Sequence, residues 1–206
     1  MVKTIVGSGG KTTLIRQLAQ HSRAQGLRVF VTTTTHMFIE DDTLLTDNPQ
    51  TIIDRLVETG YAMAGIPIGN KIGPLSPETY NAVCQHADVI LVEGDGSKHK
   101  PIKFPAEHEP VIPDNTDEII VVCGIHALGK PVSEVSHRPE LVTKTLNISG
   151  ETPVCAEHIL SLVLEGYVLP LREKFPDKGV SVYASHDSTP AQAEAAAWIM
   201  SNIECI

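Results

Sequence analysis

The chain has 206 residues, of which 42% are hydrophobic, enough for one domain with a real core. A formal net charge of −9 and an aromatic content of 4% argue against a basic surface for a phosphate backbone and against base-stacking platforms, so a nucleic-acid partner is not expected. No stretch approaches the roughly 20 apolar residues of a membrane span, and no leader pattern precedes the first apolar run, so a cytoplasmic protein without a membrane partner is expected.

In chain order, Val2 to Val6 is an apolar run that predicts the first strand. Gly7-Ser8-Gly9-Gly10-Lys11-Thr12-Thr13 follows, and then helical spacing over 12–24, which Gly26 closes. Leu27 to Thr32 reads as a β-branched second strand, and Glu40 to Asn48 as an exposed polar loop. Pro49 opens a helix to about Thr59, Tyr61 to Gly65 suits a short strand, and Gly69 to Pro74 reads as a loop with two glycines. Ser76-Pro77-Glu78 predicts a capped helix to about His86. Asp88–Val92 and Glu118–Cys123 are buried-strand patterns, separated by a long segment from Glu93 to Asp117 that has little periodicity and is best explained by function. Beyond Cys123 the pattern predicts helices over about 138–146, 155–165 and 189–203 and a strand over Val180–Ala184. Apolar runs alternating with helical patterns predict βαβ units and a mainly parallel sheet.

The four cysteines, Cys84, Cys123, Cys155 and Cys205, include no CxxC pair, and reduced thiols are expected. Cys123 with His126 and Cys155 with His158 could be written as a zinc set, but nothing in the sequence makes the pairs converge, and no zinc site is expected.

Function is most legible at the first glycine turn. Strand, glycines and helix in that order aim successive backbone N–H groups and the positive end of a helix dipole at one concavity, where a phosphate can replace water. Gly7, Ser8, Gly9, Gly10, Lys11, Thr12 and Thr13 are therefore the expected nucleotide-binding residues, with Lys11 as a mobile charge and the Thr12 hydroxyl placed for Mg²⁺. A Walker A pattern would want glycine where Ile5 stands, so the loop is short. It resembles the GTxGKT loops of Mur ligases and folylpolyglutamate synthases more than a standard Walker A.

Val89-Ile90-Leu91-Val92-Glu93-Gly94-Asp95-Gly96 has the form of a Walker B element, an apolar strand ending in carboxylates. Glu93 is the expected Mg²⁺-side ligand with Thr12, and Glu93 and Asp95 join Lys11 as candidate catalytic residues. Threonines after a neighbouring strand often sense a terminal phosphate, which nominates Thr34 and, beside it, His36 from Thr32-Thr33-Thr34-Thr35-His36. Lys98, Lys100 and Lys103 concentrate positive charge within a proline-braced segment that also carries His108, and Lys98, Lys103 and His108 are candidate anion contacts.

Taken together, the glycine loop, Thr32–His36, Val92 to Lys103, Pro105 to Pro113 and His137-Arg138-Pro139-Glu140 resemble the successive motifs of the YqeC family. The resemblance covers roughly residues 1–150 and adds His137 and Arg138 to the candidate anion-binding set, with Glu107 and Glu109 also on motif positions. It implies a P-loop-type nucleotide-binding protein that is an accessory or cofactor-biosynthesis factor for selenium-dependent molybdenum hydroxylases. Where family members carry a run reminiscent of a guanine-reading element, this chain has Tyr183-Ala184-Ser185-His186-Asp187, which leaves ATP and GTP both open.

The expected fold is α/β and P-loop NTPase-like over residues 1–206, a mainly parallel sheet with helices on both faces and phosphates at the carboxyl ends of the strands. The expected function is Mg²⁺-dependent binding of ATP or GTP, with hydrolysis or phosphoryl transfer, in maturation of a molybdenum hydroxylase or its cofactor. The alternative is a non-catalytic, nucleotide-gated carrier or chaperone for that partner.

Overall fold

A computed structural model describes residues 1–204. By its internal packing the chain divides into two compact units, one made of Met1–Ile5, Thr12–Gly96 and Val111–Glu118, the other of Val6–Lys11, Ser97–Pro110 and the chain from Ile119 onward.

The first unit carries most of the sheet. Its elements are β1 (Val2–Gly7, whose last two residues belong to the second unit), α1 (Lys11–Ala24), β2 (Val29–Thr33), β3 (Met37–Phe38), β4 (Leu44–Leu45), α2 (Pro49–Thr59), β5 (Tyr61–Ile68), β6 (Lys71–Gly73), α3 (Pro77–Cys84) and β7 (Val89–Glu93). The strand order is β1-β7-β2-β5-β6-β3, with β4 on β5. The β1/β7, β7/β2, β2/β5 and β4/β5 pairs are parallel, whereas β5/β6 and β6/β3 are antiparallel. The fold is thus α/β with a mostly parallel sheet, as the alternating pattern predicts. Central strands β2 and β7 are buried along their whole length, which is why they read as continuous apolar runs rather than alternating ones. Phe30, Ile52, Leu56, Val83, Ile90 and Val92 form the core between strands and helices.

In this unit two sequence expectations need correction. The polar stretch 40–48 contains a short strand, Leu44–Leu45, because the backbone of those two residues completes the edge of β5. The expected short strand at Tyr61–Gly65 runs on to Ile68 and returns through Gly69-Asn70 as β6, where a loop was expected. Gly69 at φ 61° supplies the left-handed first position of a two-residue hairpin turn, so the glycine that suggested a loop is what closes the ladder. The α2 and α3 boundaries follow their caps: Asn48 and Ser76 accept the backbone N–H of Thr51 and Thr79.

The second unit holds β8 (Ile102–Lys103), β9 (Glu118–Gly124, from Ile119 onward), α4 (Val132–Val135), β10 (Ser136–His137), α5 (Pro139–Leu146), α6 (Ala156–Val163), a π-helical stretch (Leu164–Val168), α7 (Leu169–Lys174), β11 (Gly179–Ser185) and α8 (Pro190–Glu204). Strand β11 lies beside β9, while β8 and β10 form a separate parallel pair. The helix expected over 155–165 instead passes through the π-helical stretch into α7. Gly166 sits in that stretch with no room for a side chain, since a β-carbon there would lie 2.8 Å from Pro105 Cδ and 3.2 Å from the Phe104 ring. This close approach seats the segment Ser97–Pro110, which carries no regular structure except β8.

Candidate functional site

The glycine loop is shaped by its own backbone. Gly7, Gly9 and Gly10 take φ values of 88°, 78° and 140°, all in the region where a β-carbon is strained. A β-carbon on Gly7 would lie 2.2 Å from the Val122 carbonyl oxygen, and one on Gly9 would lie 2.6 Å from Gly124 Cα. The glycines therefore let the turn lie directly on the β9 backbone. Ser8 fixes it there: its N–H donates to Val122 O at 2.9 Å and its hydroxyl to Pro101 O at 3.0 Å. On the other side the Ser185 hydroxyl donates to Gly9 O. Lys11, 4% exposed, curls back so that Nζ donates to Gly7 O at 2.7 Å, which places the ammonium against the loop it follows. The loop runs straight into the fourteen-residue α1, whose first N–H groups have no intrahelical acceptor. Of the threonines after Lys11, Thr12 is half-buried and Thr13 exposed.

In the first unit, Glu93 ends β7 in register with Ile5 of β1 and Thr33 of β2. Its side chain is buried and the following Asp95 is fully so. The threonine run closes this end of the strands. Thr32 and Thr33 donate hydroxyl hydrogen bonds to Ala64 O and Glu93 O, both at 2.9 Å, and Thr34 donates to Val111 O at 2.8 Å. Thr35 Oγ1 is different: it is buried and has no hydrogen-bond partner among the described residues. His36 is exposed. The sequence singles out Thr34 for a ligand, yet its hydroxyl is engaged with backbone and its neighbour's is not.

The lysine-bearing segment of the second unit builds a charge cluster around Glu109. One carboxylate oxygen accepts from Lys103 Nζ at 3.0 Å, Ala106 N–H at 3.2 Å and Arg138 Nη1 at 2.7 Å; the other accepts from Arg138 Nη2 at 3.1 Å. The Lys103 ammonium side chain is wholly buried and that of Glu109 is 7% exposed. Burial by itself would raise the Glu109 carboxyl, but the Arg138 fork and the Lys103 charge outweigh it and hold the group down at about 2. His137 lies opposite Lys103 in the β8/β10 register, and burial first, then the charges of Arg138 and Lys103, lower its pKa. Arg138 itself sits at φ 57°, which turns the chain so that its guanidinium meets the carboxylate bidentately. Lys98 and His108 are exposed. Of the expected anion contacts, then, Lys103, Arg138 and His137 come together, with two of the three positive or potentially positive groups already answered by Glu109.

The sequence puts Glu109 on a motif position without giving its partners and names Ser185 only within the 183–187 run, because each acts across large separations, 29 residues to Arg138 and 176 to Gly9. Burial pushes the Cys123 thiol up to about 12, and His158 Nδ1 accepts the Cys155 N–H at the start of α6. Among the described residues no group of three or more His, Cys, Asp or Glu side chains could hold a metal ion, and no helix is long and apolar enough to cross a membrane.

A mostly parallel α/β sheet whose first strand runs through a glycine turn into a helix is consistent with a P-loop NTPase-like fold. The family model described as YqeC protein matches residues 3–140, and the chain belongs to the YqeC family. It is 38% identical over 175 residues to "Uncharacterized protein YqeC" of Escherichia coli (strain K12). That match covers 79% of this chain and 66% of the relative, so the chain spans a little under two thirds of that protein's length. No solved structure matches.

Proposed function

We propose that this protein binds a nucleoside triphosphate with Mg²⁺ in the cytoplasm and hydrolyses it or transfers its phosphoryl group, in the maturation or cofactor biosynthesis of selenium-dependent molybdenum hydroxylases. The observation that carries the nucleotide reading is the loop itself: three glycines with positive φ lead into the start of a four-turn helix, with the Lys11 ammonium folded against Gly7 O. Loop amides and Lys11 would neutralise charge on the β and γ phosphates. Thr12 and Glu93 offer a hydroxyl and a carboxylate, the hard oxygen donors that suit Mg²⁺, which prefers few protein ligands and leaves the rest to phosphate and water. Bound there, Mg²⁺ would supply charge neutralisation to the phosphates. Asp95, buried two residues beyond Glu93, is the candidate for orienting an attacking group. The hydroxylase assignment rests on the family resemblance.

One observation favours the second reading, a nucleotide-gated carrier or chaperone. Lys103 and Arg138, two of the expected anion contacts, are both paired with Glu109. The two readings separate by turnover: purified protein with MgATP or MgGTP, alone and with selenide, selenophosphate or molybdopterin, releases product only if it is an enzyme. In calorimetric titration, Lys11→Ala is expected to lower nucleotide affinity at least about tenfold, the loss of charge-assisted hydrogen bonds to phosphate. Unchanged affinity in a folded variant contradicts the phosphate-loop reading.

A further inference from the structure

We propose that His126 and His186 form the wall against which the base of the bound nucleotide rests, so that the ligand is a nucleoside triphosphate and not an inorganic polyphosphate. This rests on the phosphate-loop reading above.

Both histidines follow the ends of strands next to the loop. His126 comes two residues after the last residue of β9, and His186 directly after β11. Both imidazoles border the Gly9-Gly10 end of the turn: a β-carbon on Gly10 would lie 3.3 Å from His186 Cε1, and one on Gly124 would lie 3.0 Å from both His126 Cε1 and Gly9 Cα. The two rings are 4.5 Å apart between centroids, with their planes inclined at 51°. They thus present a pair of flat aromatic surfaces beside the glycine turn, in a protein with few aromatic side chains.

Their hydrogen bonding leaves ring nitrogens for a ligand. The Ser185 hydroxyl gives its single proton to a backbone carbonyl, that of Gly9, so its oxygen must accept from His186 Nδ1 at 3.1 Å. In the neutral ring the proton then sits on Nδ1 and Nε2 is the acceptor. His126 Nδ1 is buried and has no hydrogen-bond partner among the described residues. Burial first, then His186 and Lys130, lower the pKa of His126, which keeps its ring neutral. A buried polar atom left without a partner is unfavourable unless something supplies one. A heteroaromatic base can stack its face on one imidazole and present its edge to a ring nitrogen of the other. His186 also holds φ at 62°, a conformation that disfavours a side chain, although the residue is exposed and fills no core. A metal ion is less well served, since no third His, Cys, Asp or Glu among the described residues completes a ligand set with these two.

The test compares MgATP, MgGTP and magnesium tripolyphosphate by calorimetric titration of the intact chain, the His126→Ala and His186→Ala variants and His186→Phe, each checked for fold by circular dichroism. The parent protein is expected to bind a nucleotide more tightly than tripolyphosphate. Each alanine variant should weaken that nucleotide about tenfold and leave tripolyphosphate within twofold, while His186→Phe, which keeps the flat ring, should recover most of the loss. The inference is overturned if the alanine variants bind nucleotide normally, or if they lose nucleotide and tripolyphosphate equally. Should the parent protein bind neither ligand, the phosphate-loop reading falls and this inference with it.

Discussion

The glycine loop at 7–11 and the segment at 97–110 belong to the same compact unit, and both carry a buried lysine, yet they keep their shapes by opposite means. The loop is held by backbone: positive φ at three glycines, contact with β9 too close for a β-carbon, and hydrogen bonds between main-chain groups and two serine hydroxyls. The segment is held by charge, with Glu109 gathering Lys103, Arg138 and the Ala106 N–H. A backbone-built loop takes its shape from glycine dihedrals and main-chain hydrogen bonds. In the charge-built segment Glu109 answers Lys103 and also Arg138, and an anion that used those two cations would first have to compete with a carboxylate.

If this contrast is right, the largest effect falls on the charge cluster. Glu109→Gln should cost about 4 kcal/mol in urea unfolding, because it removes the carboxylate that the wholly buried Lys103 ammonium and the Arg138 fork share. A change under about 1 kcal/mol would mean that the cluster is not what holds the segment. Gly7→Ala comes next, at about 3 kcal/mol, since it combines strain at φ 88° with collision against Val122 O. Full tolerance of alanine would show that the loop is not pressed onto β9.

The acid response separates the two regions again. The folded Glu109 carboxyl titrates at about 2 against an ordinary 4.5, so the unfolded chain takes up the proton first. Its stabilising contribution is present above about pH 4.5 and is lost as the pH falls through about 2. Glu109→Gln should remove this part of the pH dependence, and Gly7→Ala should leave it intact. The smallest effect is expected for Ser185→Ala, about 1 kcal/mol, for one neutral hydrogen bond to Gly9 O.

The same contrast explains what could be read from the sequence. Local rules sufficed for the loop, because Gly7, Gly9, Gly10 and Lys11 are neighbours and their conformational demands are visible in their identities. They sufficed too for α2 and α3, where Asn48-Pro49 and Ser76-Pro77 announce the helix starts. The β5/β6 hairpin was legible in Gly69-Asn70, but two glycines within a few residues suit a loop equally well until the partner strands are known. Glu109 could not be read this way. Three lysines near a proline-rich run look like an anion site, and only the structure shows that a carboxylate of the same chain meets Lys103 together with Arg138. The threonine run shows the same limit, since the hydroxyls of Thr32, Thr33 and Thr34 donate to backbone carbonyls, which no propensity reveals.

Calorimetric titration of MgATP and MgGTP into the parent protein and into a folded Lys11→Ala variant tests the central claim, that the glycine loop holds a nucleotide's phosphates. At least one nucleotide should bind the parent protein, with affinity reduced at least about tenfold in the variant. No binding to the parent protein, or equal binding to both, would contradict the claim.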